Sequence, residues 1–296
     1  MSVGNIIEGT IAKRPSKIVK SPYVADIIPI SKENEEILGH TASLGCCGLA
    51  DVGATILMSK IQIKTKSKSK SKNQQPDSGE ITVEKPKCEY RVLLSCFIDK
   101  ERIQETIVGI YPKLAEDLTE QALKQNYLSK LQNVKSYRRE TVIYVEGKVD
   151  SRFDFTGIDE NGLPFIIEVK NVPLADYEDI TAVERKKRNY SDREFGSKVA
   201  YFPDGYRKKK TDTVSPRALK HIRELTLIKK ESKTRCIMCY VIQRTDVDRF
   251  TISVIDPEYR EAVKAALENG VEIITMVIEW KRNGEAYFVR DDLPIV

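Results

Sequence analysis

The sequence predicts an α+β protein with two parts, a small β-barrel of the OB kind followed by an α/β domain with a mixed sheet. Residues 1–98 consist of short apolar runs between turn signals, with almost no helical periodicity. From Tyr111 onward, helical spacing of apolar residues alternates with strand-like runs. A chain of 296 residues is long enough for both parts. We therefore expect domains at 1–98 and 99–296.

Five runs in the first part predict the strands of the barrel, a fold that often binds nucleic acid. They lie at residues 6–11, 23–30, 36–40, 54–63 and 90–98. A Lys-Ser repeat followed by NQQPDSG occupies residues 64–87. Such a segment buries no apolar surface, so it predicts a disordered insertion in a barrel loop.

In the second part, element signals predict the order helix, three strands, helix, strand, helix, strand. Pro112 precedes the first helix, Ser215 and Pro216 begin the second, and Gly270 ends the third. The predicted helices are 114–131, 215–229 and 257–269, and the strands are 141–145, 152–158, 164–170, 235–243 and 271–280. Residues 176–198 are too charged for a core and read as an insertion. This order indicates a sheet with mixed pairing.

The register of the hairpin at 151–170, SRFDFTGIDENGLPFIIEVK, decides which side chains meet. A two-residue Asn-Gly turn would pair Asp154 with Val169 and put the charges on opposite faces. A three-residue loop at 160–162, ending in a left-handed glycine, instead sets Asp154 opposite Glu168. We expect the second register.

Alternation along the two strands then separates polar from apolar side chains. Lys170 lies two residues after Glu168 and points the same way. Phe153 and Phe155 are expected together on the apolar face. Ile166 is the one apolar residue of the hairpin expected on the polar face.

Two carboxylates placed opposite each other repel unless a cation lies between them. Carboxylate oxygens suit Mg²⁺ or Mn²⁺, which would activate a water and stabilise a transferring phosphoryl group. Asp154 and Glu168 are therefore the predicted metal ligands, and Lys170 would orient the water. A solvated hairpin face with an ion pair between Lys170 and a carboxylate is the alternative.

Composition and charge limit the partners. The chain is 41% hydrophobic and 31% charged, without an apolar run long enough for a membrane span or a signal peptide. Six cysteines show no disulfide-scaffold pattern. We expect a soluble intracellular protein, cytoplasmic or at the nucleoid or nucleus. Its net charge of +5 is concentrated at 64–72, 184–193 and 206–210, which would attract nucleic-acid phosphates or simply be solvated loops.

Ordered motifs across most of the chain resemble the SfsA family, the sugar fermentation stimulation proteins. They include VKSPYVADI and HTASLGCCGL early, and SRFDF, IEVKNV, YFPDG, KHIREL and VIQR later. The resemblance implies an OB-like N-terminal domain, a C-terminal domain like the PD-(D/E)xK nucleases, and DNA binding. Asp154 then matches the motif aspartate, while Glu168 and Lys170 match ExK.

The resemblance also implies further site residues. Glu120 is the candidate for an additional catalytic acid on the helix, with Glu116 and Glu140 as alternatives. The expected phosphate contacts are Arg152, Arg217, Lys220, His221 and Arg223. Helical spacing places Arg217, Lys220 and His221 on roughly one side, although His221 also fits a packing role. Ser215-Pro216 stands where the family usually has Thr-Glu, which puts a role for that glutamate in doubt.

The leading hypothesis is a Mg²⁺- or Mn²⁺-dependent nuclease acting on DNA, with RNA as the alternative substrate. The second hypothesis is a DNA-binding regulatory protein that retains the nuclease fold without turnover. A regulator of sugar metabolism that acts through a protein partner rests on the family's name alone.

Overall fold

A computed structural model describes residues 1–32, 35–41, 48–61, 88–99, 102–203 and 214–296. The predicted insertion at 64–87 lies outside these residues, as does the basic run at 206–210. Within the described part, no helix has the length and apolar character needed to cross a membrane.

The first part of the chain forms a closed five-stranded barrel with a sixth strand attached. Its strands are β1 (Ile7–Lys13), β2 (Val24–Pro29), β3 (Ile37–Thr41), β4 (Thr55–Lys60), β5 (Tyr90–Asp99) and β6 (Gln104–Gly109). β1 pairs with β2 and β4, β3 pairs with β2 and β5, and β4 pairs with β5, which closes the ring. Alternating residues such as Ile27, Ile56 and Val92 fill its interior. The predicted barrel is confirmed.

β6 extends the barrel sheet past residue 98 and ties it to the second part. Its last residue, Gly109, donates its backbone N–H to the carbonyl of Gln243 at 3.0 Å. A Cβ at Gly109 would lie 2.0 Å from Oε1 of Gln243, so only glycine allows this approach. The boundary between the two domains at residue 98 stays a prediction.

The second part is built around a six-stranded mixed sheet. Its elements are α1 (Pro112–Lys124), β7 (Ser136–Val145), β8 (Val149–Ile158), β9 (Pro164–Val172), β10 (Ala175–Asp176), α2 (Ala182–Arg185), β11 (Lys198–Phe202), α3 (Pro216–Glu231), β12 (Arg235–Ile242), β13 (Val247–Ile252), α4 (Pro257–Glu268), β14 (Glu272–Trp280) and β15 (Ala286–Arg290). The strand order is β15-β14-β12-β9-β8-β7, and β10, β11 and β13 form a separate sheet. β12 pairs in parallel with both β9 and β14, whereas β7, β8 and β15 pair antiparallel.

Helices cover both faces of the large sheet. α1 packs Leu114 and Leu118 against one face, in a core cluster that includes Ile167 of β9. α3 and α4 cover the other face, where Ile222 packs in the cluster that includes Met238 of β12. Because β12 is buried on both faces, its sequence is a continuous apolar run rather than an alternating one.

Among the residues that the structure describes, the segment 176–198 contributes none to the core clusters, as predicted, but its two ends are buried. Tyr177 is buried, and Lys198 is only 3% exposed. The Lys198 ammonium lies 2.9 Å from Asp246 and 3.8 Å from the ring centroid of Phe195. A buried charge is tolerated when it is paired, and the sequence did not reveal the partner 48 positions away.

Candidate active site

The hairpin of β8 and β9 has the predicted register. The last paired residues toward the open end are Phe155 and Ile167, whose positions sum to 322 like those of every other pair in the ladder. Asp154 and Glu168 are the next positions along these strands, just beyond the end of this ladder, and the charge of Glu168 acts on the pKa of Asp154. They lie on adjacent strands in the interior of the sheet, as expected.

The turn of the hairpin explains this register. Gly162 has a φ of +83°, the left-handed conformation that the predicted three-residue loop requires. Asp159 stabilises the turn because its Oδ1 accepts hydrogen bonds from the backbone N–H groups of Asn161 and Leu163, at 2.9 and 2.8 Å. The loop is thus determined by local residue chemistry.

The two strands separate where the acidic residues begin. Beyond Phe155 and Ile167 the ladder stops, and Oδ2 of Asp154 accepts the Val169 backbone N–H at 2.7 Å. On the other side, Glu140 of β7 stands opposite Asp154 and has a positive φ of 53°. The Asp154 carboxylate therefore accepts the Val169 N–H in place of the β8 backbone carbonyl that would accept it in a regular antiparallel ladder.

This separation makes one face assignment wrong. Phe153 was expected beside Phe155 on the apolar face, but it packs in the core cluster on the α3 side, together with Ile166. Its ring lies 5.6 Å from that of His221. Strict alternation fails here because Phe153 lies beyond the end of the regular ladder.

Glu168 is contacted by two nitrogens at one of its oxygens. Its Oε1 accepts from Nζ of Lys170 and lies 2.5 Å from Nδ1 of His221. Its Oε2 is buried and has no hydrogen-bond partner among the described residues. The side chains of Glu168 and His221 are each 4% exposed and that of Lys170 is 12% exposed. Glu168 and Lys170 therefore share one face, as predicted.

The surroundings of Asp154 and Glu168 shift the pKa values of their carboxyl groups in opposite directions. Burial and the nearby charge of Glu168 raise the pKa of Asp154 to about 7. Burial also acts to raise the pKa of Glu168, but Lys170 and His221 outweigh it and hold that pKa below its usual range. Near neutral pH this leaves a buried carboxylate beside a carboxyl that readily releases its proton, an arrangement typical of functional sites.

The acidic residues of α1 are organised by Arg139 of β7. Glu120 accepts from Arg139 at 2.8 Å and from the hydroxyl of Tyr137 at 3.0 Å. Glu116 accepts from the same guanidinium at 3.1 Å, and its charge contributes to the raised pKa of Asp154. Arg139 thus engages both glutamates, and Glu116 is the helix candidate named among the charges that raise the pKa of Asp154.

The predicted phosphate contacts are mostly solvent-exposed. Arg217 is exposed at the start of α3, and Lys220 donates to the backbone carbonyl of Asp150. Two others form surface ion pairs: Arg152 lies 3.4 Å from Glu140 and Arg223 lies 2.8 Å from Glu258. These side chains remain available for solvent-side contacts.

His221 is buried, at 3% exposure, whereas Arg217 and Lys220 on the same helix are exposed. The expected phosphate contact by His221 is therefore wrong, and its burial agrees with the packing role. His221 belongs to the buried stripe that contains Ala218, Ile222 and Leu225. These three residues lie at helical spacing around His221, a signal in the sequence that favours burial.

The described residues contain no preassembled group of three or more His, Cys, Asp or Glu side chains suited to a metal ion. Two oxygens nevertheless fit a hard cation, the orphaned Oε2 of Glu168 and the Asp154 oxygen not used by Val169.

Comparison with known proteins places the chain in a family. The family model described as "Sugar fermentation stimulation protein RE domain" matches residues 113–284. A sugar fermentation stimulation protein homolog from Jannaschia sp. is 33% identical over 168 residues, which cover 56% of each chain, so this match spans little more than half of the relative. A homolog from Maricaulis maris is 29% identical over 93% of this chain and 90% of its own length.

A solved structure confirms the fold. The structure of Pyrococcus furiosus SfsA in complex with Ca²⁺ matches with a TM-score of 0.65 and 20% identity, over 100% of this chain and 98% of that one. A homolog from Crocosphaera subtropica is 30% identical over 64% of this chain and 68% of its own. From the matched family model and these relatives, we conclude that this chain belongs to the sugar fermentation stimulation protein family.

Proposed function

We propose that this protein binds DNA and hydrolyses its phosphodiester bonds with the help of Mg²⁺ or Mn²⁺ held by Asp154 and Glu168. The observation that carries the proposal is the unpartnered, buried Oε2 of Glu168. A buried carboxylate oxygen without a partner is costly, and a divalent cation would satisfy it.

The residues present are consistent with such an ion. Hard cations of this kind prefer carboxylate oxygens, and the two acids supply them from adjacent strands. Glu116 is the further acid whose charge reaches Asp154. The relative from Pyrococcus furiosus is described as a complex with Ca²⁺, an ion with the same preference for oxygen, which supports the proposal.

The roles of the residues follow from their contacts. When bound, the ion would activate a water and stabilise the charge that develops on the phosphate. Asp154, whose pKa is raised to about 7 mainly by burial and by the charge of Glu168, would hold the ion as a carboxylate. Lys170 donates to Glu168 within the site, where it would orient the water and offset negative charge. Arg217 and Lys220 would hold the DNA backbone from the exposed side of α3.

A cleavage assay tests the proposal. Purified protein is incubated with Mg²⁺ or Mn²⁺ and with plasmid, single-stranded DNA or RNA, beside the Asp154→Ala and Glu168→Ala variants. We expect ion-dependent cleavage by the wild type and none by either variant, while DNA binding by fluorescence anisotropy is largely retained. Cleavage that persists in both variants would refute the assignment of these residues.

A DNA-binding protein without turnover is the second candidate. It is favoured by the absence, within the described ranges, of a preassembled site with three or more metal-ligating side chains. Salt-dependent DNA binding by the wild type, with no cleavage under any ion, would select this alternative.

A further inference from the structure

The imidazole of His221 lies within the candidate site, away from the exposed cations of α3. Its Nδ1 is 2.5 Å from Oε1 of Glu168. Its ring packs at a tilt of 54° against Phe153, with the ring centroids 5.6 Å apart. The imidazole is thus held by a hydrogen bond to one residue and by ring contact with another, so its orientation is defined.

The contacts of Glu168 divide unequally between its two oxygens. Lys170 and His221 both use Oε1, whereas Oε2 has no partner in the described part of the chain. Asp154 is divided in a similar way, since its Oδ2 is taken by the backbone N–H of Val169. Each acid therefore has one oxygen engaged and one without a hydrogen bond from the described residues.

We propose that His221 is a positioning residue, which donates from Nδ1 to Oε1 of Glu168 and so reserves Oε2 for a single divalent cation. The inference rests on the proposed function, because it assigns a task at the same site. A carboxylate that binds a cation is ionised and can only accept hydrogen bonds, so the proton of this contact is on Nδ1. Hydrogen bonds of this kind orient a ligating carboxylate and are worth about 10- to 100-fold in metal affinity.

The same division of oxygens indicates one ion rather than two. A two-metal centre needs enough ligand oxygens to bridge and hold two cations about 3.5–4 Å apart. With Oε1 of Glu168 and Oδ2 of Asp154 engaged, the two acids offer one oxygen each. We therefore expect one Mn²⁺ per chain at this site.

The test measures Mn²⁺ binding by isothermal titration calorimetry, which does not depend on cleavage. His221→Phe keeps an aromatic ring against Phe153 but removes the donor. His221→Asn replaces Nδ1 with an amide nitrogen at nearly the same distance from the backbone, and His221→Gln places its amide one bond farther out. Ile222→Val, a neighbouring buried substitution on α3, serves as the control for helix packing.

We expect one ion per chain in the wild type and a loss of affinity of about 10- to 100-fold in His221→Phe and His221→Gln. His221→Asn should recover most of the affinity, and Ile222→Val should bind as the wild type does. Wild-type affinity in folded His221→Phe would overturn the inference. If His221→Phe does not fold, equal affinities in the Asn and Gln variants would overturn it instead.

Two further outcomes separate this inference from the proposed function. A stoichiometry of two ions at the site would overturn the single-ion assignment while leaving a metal-dependent function intact. Failure of the wild type to bind either Mn²⁺ or Ca²⁺ would refute the proposed function itself.

Discussion

Two buried charge clusters in this protein differ in how completely their polar atoms are paired. In the first, Arg244 binds both oxygens of Asp246, at 2.6 and 2.7 Å, and also donates to the carbonyl of Pro173. Lys198 completes the cluster at 2.9 Å from the same carboxylate. In the second, Oε2 of Glu168 has no partner among the described residues. A fully paired cluster needs no ligand, whereas an incomplete one costs stability until a ligand completes it.

The largest expected effect comes from breaking the complete cluster. Asp246→Ala leaves the buried cations Arg244 and Lys198 without their counter-ion, and should destabilise the protein by about 3–5 kcal/mol. Urea unfolding followed by circular dichroism measures the change. Glu168→Ala is the matched truncation in the incomplete cluster, and a loss of equal size there would remove the distinction between the two clusters.

A ligand that completes the second cluster should stabilise the protein. Under the proposed function, Mn²⁺ at about 100 times its dissociation constant should stabilise the wild type by about 2.7 kcal/mol, because a site formed by the folded strands binds only the folded state. The same addition should not stabilise Glu168→Gln. Thermal unfolding with and without the ion measures both shifts, and an equal shift in the variant would show that the ion binds elsewhere.

The pH dependence of stability should reveal the Asp154 carboxyl. Its pKa is raised to about 7 in the folded protein, mainly by burial and then by Glu168, so the folded state keeps a proton that the unfolded state releases. Stability without the metal ion should therefore fall as the pH rises from about 4 to 7, by at most about 1.4 kcal/mol per pH unit. Urea midpoints compared between wild type and Asp154→Asn measure this slope, which should be absent from the variant.

The smallest expected effect on stability belongs to the exposed cations outside both clusters. Arg217→Ala should change the free energy of unfolding by no more than about 0.5 kcal/mol, because the residue is exposed. It should weaken DNA binding and reduce the salt dependence by about one phosphate contact. Anisotropy titrations at several salt concentrations measure this, and an unchanged salt slope would exclude Arg217 from the contact surface.

Local residue patterns predicted the barrel strands and the hairpin register because the controlling interactions are close in sequence. Gly162 and Asp159 determine the turn within a few residues. Short strands such as β6, β11, β13 and β15 were missed, since runs like VDRFTI of β13 show strand character only when a neighbouring strand pairs with them.

The positions of Phe153 and His221 were not predicted correctly because each depends on a distant contact. Phe153 faces α3 only because β8 separates from β9 at Asp154. His221 is buried because its partner Glu168 lies 53 positions earlier in the chain. Its place in the buried stripe of α3 was nevertheless readable from helical spacing.

The sequence alone was sufficient for the register of the β8–β9 hairpin, in which paired positions sum to 322, and for the shared face of Glu168 and Lys170. Side-chain alternation and turn chemistry act over a few residues, so no other part of the chain is needed for this. Which oxygen of Glu168 remains without a partner among the described residues depends on tertiary packing, because Oε1 is engaged by His221 of α3, 53 positions later. Hydrogen bonds between distant elements form only when the sheet and its helices pack together.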